Sequence, residues 1–175
     1  GKTNLLTEGI SEEKIHFVGN VMIDTLLANK AKADQSTILE TLRLKPRDHA
    51  LLTLHRPSNV DVRETFSNIL EAIEEIQTTL PVIFPIHPRT RKRIAEFGFQ
   101  QRVDSMKNLR LLDPLGYLDF LKLTAEANMV LTDSGGIQEE TTILNVPCLT
   151  LRENTERPVT IEQGTNVLVG TDPVR

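Results

Sequence analysis

Short apolar runs alternate along the chain with segments in which apolar residues recur at helical spacing. The runs are Ile15–Gly19, Ala50–His55, Val82–His87, Leu109–Leu115, Met129–Asp133, Cys148–Arg152 and Asn166–Gly170. Most of them are nearly continuous in Val, Ile and Leu instead of alternating between apolar and polar residues. This pattern is typical of strands that are covered on both faces, as in a parallel sheet.

The segments between the runs predict helices. One apolar stripe follows a 3.6-residue period, and it consists of Phe66, Ile69, Leu70, Ile73 and Ile76. Asp61, with Glu64 three residues later, predicts a capping box at the start of this helix. Two more helices are predicted around Tyr117–Ala125 and Ile137–Leu144. Strands that alternate with helices predict right-handed βαβ units, and hence a Rossmann-like, doubly wound parallel sheet.

Composition narrows the class of protein. The chain has 175 residues, 39% hydrophobic and 25% charged, so we expect residues 1–175 to form one globular domain. Its net charge of −4 disfavours a nucleic-acid partner but leaves room for one diphosphate. No apolar run approaches about 18 residues, so no membrane-spanning helix is expected. The lone cysteine, Cys148, lies in an apolar run, which predicts a core position and fits a reducing cytoplasm.

Ligands of doubly wound sheets bind beyond the carboxyl ends of the strands, and polar residues and glycines follow the predicted strands there. These are His55-Arg56, His87-Pro88-Arg89, Pro114-Leu115-Gly116, Ser134-Gly135-Gly136 and the loop from Arg152 to Arg157. We therefore expect the functional site at this edge of the sheet.

The segment Ser134-Gly135-Gly136 lies between a predicted strand and a predicted helix. Glycines let a ligand approach the backbone, and the free amides of a first helical turn attract phosphate oxygens. A tight turn without a ligand explains the same residues. Glu139 is explained by stabilisation of the helix dipole, whereas Glu140 lies further round the helix, where a carboxylate can accept hydrogen bonds from ribose hydroxyls.

Several cationic side chains and histidines also follow strands. Arg152 and Arg157 can pair with a diphosphate or remain solvated loop charges. His55, beside Arg56, is a candidate general acid or base, and His87 lies at another strand end. The basic residues Arg89, Arg91, Lys92 and Arg93 after His87 fit a solvated helix face.

The loop at residues 113–120 can hold a flat base between Leu115 and Phe120, although the pattern favours core packing for both side chains. Chemistry on a sugar carbon usually requires paired carboxylates, and the strand ends carry no convincing pair, with Asp133 as an exception to be considered. We therefore expect the domain either to bind without catalysing or to depend on acids elsewhere in the protein.

Several motifs in fixed order resemble the non-hydrolysing UDP-N-acetylglucosamine 2-epimerases over nearly the whole chain. They are GNVMIDTL, TLHRPSNVD, PVIFPIHPRTRKRI, LDPLGYLDFLKL, LTDSGGIQEE, NVPCLTLRENTERPVT and GTNVLVGTDP. The resemblance implies the C-terminal, UDP-binding half of a glycosyltransferase-B-type two-domain fold, lacking the N-terminal domain and the final C-terminal helix. It also implies a cytoplasmic enzyme, homodimeric at full length, that needs neither a metal nor a cofactor.

The resemblance also implies roles for individual residues in binding UDP. The backbone around Leu115 and Phe120 would hold uracil, and Glu140 would hold the ribose. Ser134, Gly135 and Gly136 would bind the diphosphate, with Arg157 paired to it or to the adjacent sugar.

The reaction that the resemblance implies interconverts UDP-N-acetylglucosamine (UDP-GlcNAc) and UDP-N-acetylmannosamine by elimination and re-addition of UDP. His55 would lie near the reacting sugar, and carboxylates of the N-terminal domain would move the C2 proton. In some bacterial members, residues matching His55, Arg56 and His87 contact a second UDP-GlcNAc that acts as an allosteric activator. Ser58 departs from the family, which usually has Glu there, and this puts that contact in doubt.

Three alternatives remain open from the sequence. The chain could be half of a glycosyltransferase of the same architecture, a nucleotide-sugar sensor without chemistry, or part of a hydrolysing 2-epimerase. Because the resemblance assigns the catalytic carboxylates to the N-terminal domain, the isolated chain is expected to be inactive as an epimerase.

Overall fold

A computed structural model describes residues 1–173 and contains one six-stranded parallel sheet. The strands are β1 (Ala50–Thr53), β2 (Val82–Pro85), β3 (Leu109–Leu112), β4 (Met129–Thr132), β5 (Cys148–Thr150) and β6 (Asn166–Leu168). Each matches one of the predicted runs. Their order is β3-β2-β1-β4-β5-β6, so the direction of winding reverses between β1 and β4. The predicted Rossmann-like α/β fold is therefore confirmed.

Helices connect the strands and cover both faces of the sheet. They are α1 (Lys2–Thr7), α2 (Val21–Ala33), α3 (Ile38–Thr41), α4 (Pro57–Val60), α5 (Arg63–Thr79), α6 (Pro88–Glu96), α7 (Gln100–Ser105), α8 (Tyr117–Ala125), α9 (Gly135–Leu144) and α10 (Val159–Glu162). The three helices predicted from apolar spacing correspond to α5, α8 and α9.

Two hydrophobic cores lie on opposite faces of the sheet. Successive side chains of a strand point to opposite faces, so Leu52 joins the core built on Phe66 of α5, whereas Leu51 joins the core that contains Val130. Both leucines are completely buried. This two-sided burial is the physical reason for the continuous apolar runs. Cys148 is also fully buried in β5, as predicted, and burial raises the pKa of its thiol.

The predicted strand at Ile15–Gly19 is wrong. A short 3₁₀ helix, Glu12–Lys14, precedes this segment, which then runs as irregular chain to α2. Phe17 and Val18 are 91% and 76% exposed, so neither face of this segment is covered within residues 1–173. An apolar run predicts that a segment will be buried somewhere, but a strand also needs a neighbouring strand with which to pair.

The predicted capping box at Asp61 and Glu64 is also wrong. The residue that caps α5 is Val62, and within the described chain no side chain caps this helix end. The Asp61 carboxylate instead accepts hydrogen bonds from Arg89 at 3.0 and 3.2 Å and from Arg93 at 2.9 Å. Two guanidinium groups are stronger partners for a carboxylate than a backbone amide, so tertiary contacts override the local preference.

No helix among residues 1–173 combines the length and apolar character needed to cross a bilayer.

Candidate functional site

The site lies where the winding of the sheet reverses, at the carboxyl ends of β1 and β4. These strands are directly paired, with Thr53 opposite Thr132, and their hydroxyl oxygens lie 2.6 Å apart. His55 follows β1 by two residues and Ser134 follows β4 by two residues. The reversal leaves a crevice between the connections that leave these strands, which is the usual ligand site of this fold.

Asp133 organises the end of β1. Its side chain is completely buried, and Oδ2 accepts hydrogen bonds from the backbone amides of His55 at 2.9 Å and Arg56 at 2.7 Å. Its other oxygen, Oδ1, lies 2.8 Å from Nδ1 of His55. One carboxylate therefore fixes both the backbone and the imidazole of His55.

The contact with Asp133 raises the pKa of His55 above its ordinary value, because the hydrogen bond and the negative charge favour the imidazolium. Partial burial opposes this effect. With Nδ1 held by Asp133, the half-exposed ring keeps Nε2 for a ligand. From the sequence, Asp133 was only a candidate member of an acid pair. The signal for its role is an aspartate at the end of an otherwise apolar buried strand.

His87, Leu115 and Phe120 line the same cavity as His55. It has a volume of about 220 Å³ and is formed by the chain just beyond β1, β2 and β3. The rings of His55 and His87 are 6.0 Å apart. His87 also accepts a hydrogen bond from the Arg89 amide at 3.2 Å and so caps α6, where Pro88 is the first helical residue. Leu115 and Phe120 pack partly on the sheet core, which confirms the core interpretation. Both also line this cavity, and binding of a flat base there stays a prediction.

The glycines Gly135 and Gly136 open α9, and Ser134 stands at its N-cap position without capping it through its side chain. The Ser134 amide itself donates to the Thr132 hydroxyl at 3.0 Å. The first-turn amides of α9 are therefore available to an anion. A Cβ atom built on Gly135 would lie 2.9 Å from Glu156 Oε1, so the carboxylate of Glu156 sits directly against this helix start.

Glu156 also joins two arginines from different loops. Arg56 Nη2 donates to Oε1 at 2.9 Å, and Arg152 Nη1 lies 2.8 Å from Oε2. The hydrogen bond from its own backbone amide and these two guanidinium groups lower the pKa of Glu156 to about 2. Neither Glu156 nor its link to Arg56 was anticipated from the sequence.

Arg157, the predicted diphosphate partner, makes a different contact. Its Nε lies 3.0 Å from Oε1 of Glu139. The predicted role of Glu139 in stabilising the start of α9 is wrong, because Glu139 lies beyond the first turn of this helix. Its carboxylate instead holds Arg157 beside the helix. The structure places Arg157 next to α9 but already paired with a carboxylate.

Glu140 is 6% exposed, and its pKa is raised by burial and by the charge of Glu139. It lines a separate cavity of about 170 Å³ with Tyr117 and the residues Val21, Met22 and Thr25 of α2. Gly136 borders this region, because a Cβ atom built on it would lie 3.8 Å from Met22 Cε. A buried carboxylate beside apolar walls suits a ligand that carries hydroxyl donors next to a flat apolar group.

A buried network fixes the loop that carries Glu156. Gln138 Oε1 accepts hydrogen bonds from the Thr155 hydroxyl at 2.6 Å and from Asn166 Nδ2 at 3.2 Å. The Thr155 hydroxyl oxygen in turn accepts from the Arg157 amide at 2.9 Å. The loop is thus anchored on both α9 and β6.

The cations of α6 do not form a free basic surface. Arg89 and Arg93 pair with Asp61, Arg91 pairs with Asp113, and Lys92 pairs with Glu96. This fits the predicted solvated helix face. In the described part of the chain, no cluster of three or more His, Cys, Asp or Glu is placed to hold a metal ion.

Ser58 lies in a cavity of about 330 Å³ whose lining includes Arg56, Arg152 and Asn59. Its hydroxyl donates to Asn59 Oδ1 at 3.3 Å. The side chain of Asn59 is buried and donates to the Leu151 carbonyl at 2.8 Å. Asn59 therefore links the segment that follows β1 to the residue that follows β5.

Comparison with known proteins places this geometry in one family. A family model described as UDP-N-acetylglucosamine 2-epimerase matches residues 1–175. The UDP-N-acetylglucosamine 2-epimerase of Methanocaldococcus jannaschii is 48% identical over 174 residues, covering 97% of this chain and 48% of that protein. The UDP-2,3-diacetamido-2,3-dideoxy-D-glucuronate 2-epimerase of Pseudomonas aeruginosa is 39% identical over 171 residues, covering 95% of this chain and 45% of that protein.

The solved structures agree with these sequence matches. The crystal structure of the M. jannaschii enzyme in complex with UDP-GlcNAc and UDP superposes with a TM-score of 0.92 at 48% identity. The match covers 99% of this chain and 49% of that one, so the chain spans about half the length of the relatives it matches. Because one family model spans all 175 residues and the fold agrees, the chain belongs to the UDP-N-acetylglucosamine 2-epimerase family.

Proposed function

We propose that this chain is the C-terminal, UDP-binding domain of an enzyme that interconverts UDP-GlcNAc and UDP-N-acetylmannosamine. The observation that carries the proposal is that three suitable groups lie on the connections that follow β1 and β4, the two strands between which the winding reverses. The α9 amides can take a phosphate, the buried Glu140 can take hydroxyl donors, and the His55–Asp133 pair can hold a proton. A family member with UDP-GlcNAc and UDP bound, at 48% identity, supports the same assignment.

In this proposal, the diphosphate binds at Ser134, Gly135 and Gly136, and Arg157 turns from Glu139 towards it or towards the adjacent sugar. Glu140 accepts hydrogen bonds from the ribose hydroxyls. The backbone around Leu115 and Phe120 holds uracil. Tyr117, which shares the cavity of Glu140, forms an additional wall beside the nucleoside.

The reaction would proceed by elimination and re-addition. The C2 proton of the sugar passes to a base, the C1–O bond breaks with its electron pair leaving on UDP, and a double bond forms between C1 and C2. UDP then adds back at C1 after a proton has reached the opposite face of C2. His55, which Asp133 keeps in its charged form to higher pH, would stabilise the negative charge that develops on the departing diphosphate.

The carboxylates that move the C2 proton would belong to an N-terminal domain of the full-length protein. We infer this because Asp133 and Glu140 already have other roles, and Glu156 is paired with Arg56 and Arg152. The isolated chain would therefore bind UDP without catalysing epimerisation. We also propose a cytoplasmic homodimer at full length, whose product serves cell-surface polysaccharide synthesis.

A second molecule of UDP-GlcNAc would bind as an activator through His55, Arg56 and His87. The cavities that these side chains line lie side by side at the end of β1. The loss of a carboxylate at Ser58 would weaken or alter this contact, and activation of the full-length enzyme by its own substrate would test it.

Calorimetric titration of the chain with UDP tests the binding site, with ADP as the control ligand. UDP should bind, ADP should not, and Arg157→Ala should cost about 2 kcal/mol because it removes a charged partner of the diphosphate. Proton NMR of UDP-GlcNAc incubated with the full-length protein in D₂O tests the reaction. Epimerisation must place deuterium at C2 of the sugar, so the C2 proton signal should disappear. Consumption of UDP-GlcNAc only in the presence of an acceptor sugar would instead identify a glycosyltransferase.

A different UDP-sugar is the second candidate substrate, because the P. aeruginosa relative at 39% identity acts on a diacetamido glucuronate. The carboxylate of such a sugar would require a cation near its C6. Parallel assays of the full-length enzyme with both UDP-sugars would decide between them by their kcat/KM values.

A further inference from the structure

The carboxylate of Glu156 lies beside the start of α9, where the diphosphate is proposed to bind. Its Oε1 would be 2.9 Å from a Cβ atom built on Gly135. The positive end of a helix and a position without a side chain together form a phosphate site. In this structure, the negative charge at that position comes from the protein itself.

Two arginines hold this carboxylate as they would hold a phosphate group. Arg56 reaches it from the end of β1 and Arg152 from the end of β5, each through one oxygen, at 2.9 and 2.8 Å. Guanidinium groups recognise carboxylate and phosphate oxygens through the same planar arrangement of donors. The arginines are therefore oriented for an anion before any ligand arrives.

We propose that Glu156 is a resident anion that discriminates diphosphate ligands from singly charged anions. This inference rests on the proposed function, because it assumes that UDP binds at the start of α9. An incoming diphosphate replaces Glu156 as the partner of Arg56 and Arg152 and also binds the α9 amides. The carboxylate of Glu156 then moves into solvent. The side chain of Glu156 is 44% exposed, so its path out of the site is open.

Charge explains the selectivity. A singly charged anion that replaces Glu156 exchanges one negative charge for another and gains nothing from the two arginines. A diphosphate carries two or more negative charges and several acceptor oxygens, so it gains attraction beyond what the carboxylate loses. Because the pKa of Glu156 is about 2, protonation does not vacate the site near neutral pH, and only displacement can do so.

The anchoring of the loop makes this exchange local. Thr155 and Arg157, on either side of Glu156, are fixed by Gln138 and by each other. A change in the side-chain rotamer of Glu156 therefore clears the site without rearrangement of the loop backbone.

The test compares the wild-type full-length protein with Glu156→Gln, which keeps the shape of the side chain and removes its charge. Glu162→Gln, on the exposed side of α10, is the matched control for the change in net charge. Affinities for UDP, UMP and inorganic phosphate are measured by calorimetry at fixed ionic strength and pH 5.5, where UMP and inorganic phosphate are mainly singly charged while UDP and Glu156 keep their charges. Glu156→Gln should bind inorganic phosphate about tenfold more tightly and narrow the ratio of UDP to phosphate affinity, whereas the control should match the wild type.

An unchanged affinity ratio would overturn the inference, as would weaker binding of both UDP and phosphate, which would make Glu156 a support for the arginines. In either case, UDP binding by the wild type would leave the proposed function intact. If neither the wild type nor the variant binds UDP, the proposed function fails, and the inference fails with it.

Discussion

Asp133 Oδ1 lies 2.8 Å from Nδ1 of His55, although 78 residues separate the two along the chain. The other oxygen of the same buried carboxylate holds the backbone amides of His55 and Arg56. The residue that would meet the sugar is thus positioned by the strand next to its own. The end of β1 is thus coupled to the turn that follows β4, where the diphosphate is proposed to bind.

Replacing Asp133 with Asn should lower the pKa of His55, because the largest cause of its raised value is lost. The variant keeps one oxygen that can accept from the backbone, so the fold should persist. NMR titration of the His55 ring reports the pKa directly, and the pH profile of kcat in the full-length enzyme should shift in the same direction. An unchanged titration would show that Asp133 has only a structural role.

The same pair should make stability depend on pH. The folded-state pKa of His55 is raised, so the pair contributes stability that is complete below the unfolded-state pKa, near 6.5, and is lost as the pH rises through the folded-state value. The difference in unfolding free energy between wild type and His55→Gln should therefore be larger at pH 5.5 than at pH 8. Urea denaturation measures it, and the pH dependence should vanish when both proteins carry Asp133→Asn.

Glu140→Gln should weaken UDP binding by about tenfold or more, because an ionised acceptor makes the stronger hydrogen bonds to hydroxyls. A comparison of ligands makes this test specific. If Glu140 binds the ribose, the wild type should prefer UDP over its 2′,3′-dideoxy analogue, and the variant should lose most of that preference. Equal preference in both proteins would place the ribose elsewhere.

Gly164→Ala should lower the free energy of unfolding by about 2 kcal/mol or more. A Cβ atom there would lie 2.4 Å from both the Thr160 carbonyl oxygen and the Thr142 hydroxyl, and the carbonyl belongs to the backbone and cannot turn aside. The control is Gly136→Ala, whose Cβ atom meets nothing closer than 3.8 Å and which lies in α9. It should be neutral or stabilising by about 0.5 kcal/mol, since alanine favours helix over glycine.

The strands were predictable because burial on both faces requires continuous apolar residues. The long helices were predictable because one buried face requires apolar residues at helical spacing. The apolar stripe of α5 and the run of β1 each reflect the environment of their own residues. The segment Ile15–Gly19 has a similar apolar pattern but pairs with no strand in the described chain. Strand pairing depends on residues distant in sequence, so the local pattern could not predict it. The capping box predicted for α5 is wrong for a related reason, because the partners of Asp61 come from α6.

The strand-end rule predicted the edge of the sheet at which the candidate site lies, but it did not identify the contacts within it. His55 and Ser134 follow β1 and β4 closely, whereas Glu140 lies in the second turn of α9. The contact between Glu156 and Arg56 joins residues 100 positions apart, and no spacing in the sequence encodes it. Electrostatic partners of this kind become visible only when the order of the strands is known.

The buried Cys148 has a practical consequence. It is the one thiol among the 175 residues, and its place in β5 with a raised pKa makes it a poor target for labelling reagents. A cysteine introduced at the exposed Asn154 would therefore take up a fluorophore selectively, two residues from Glu156. Because Cys148 would stay unlabelled, the fluorescence of such a label would report movement of Glu156 at the proposed phosphate site.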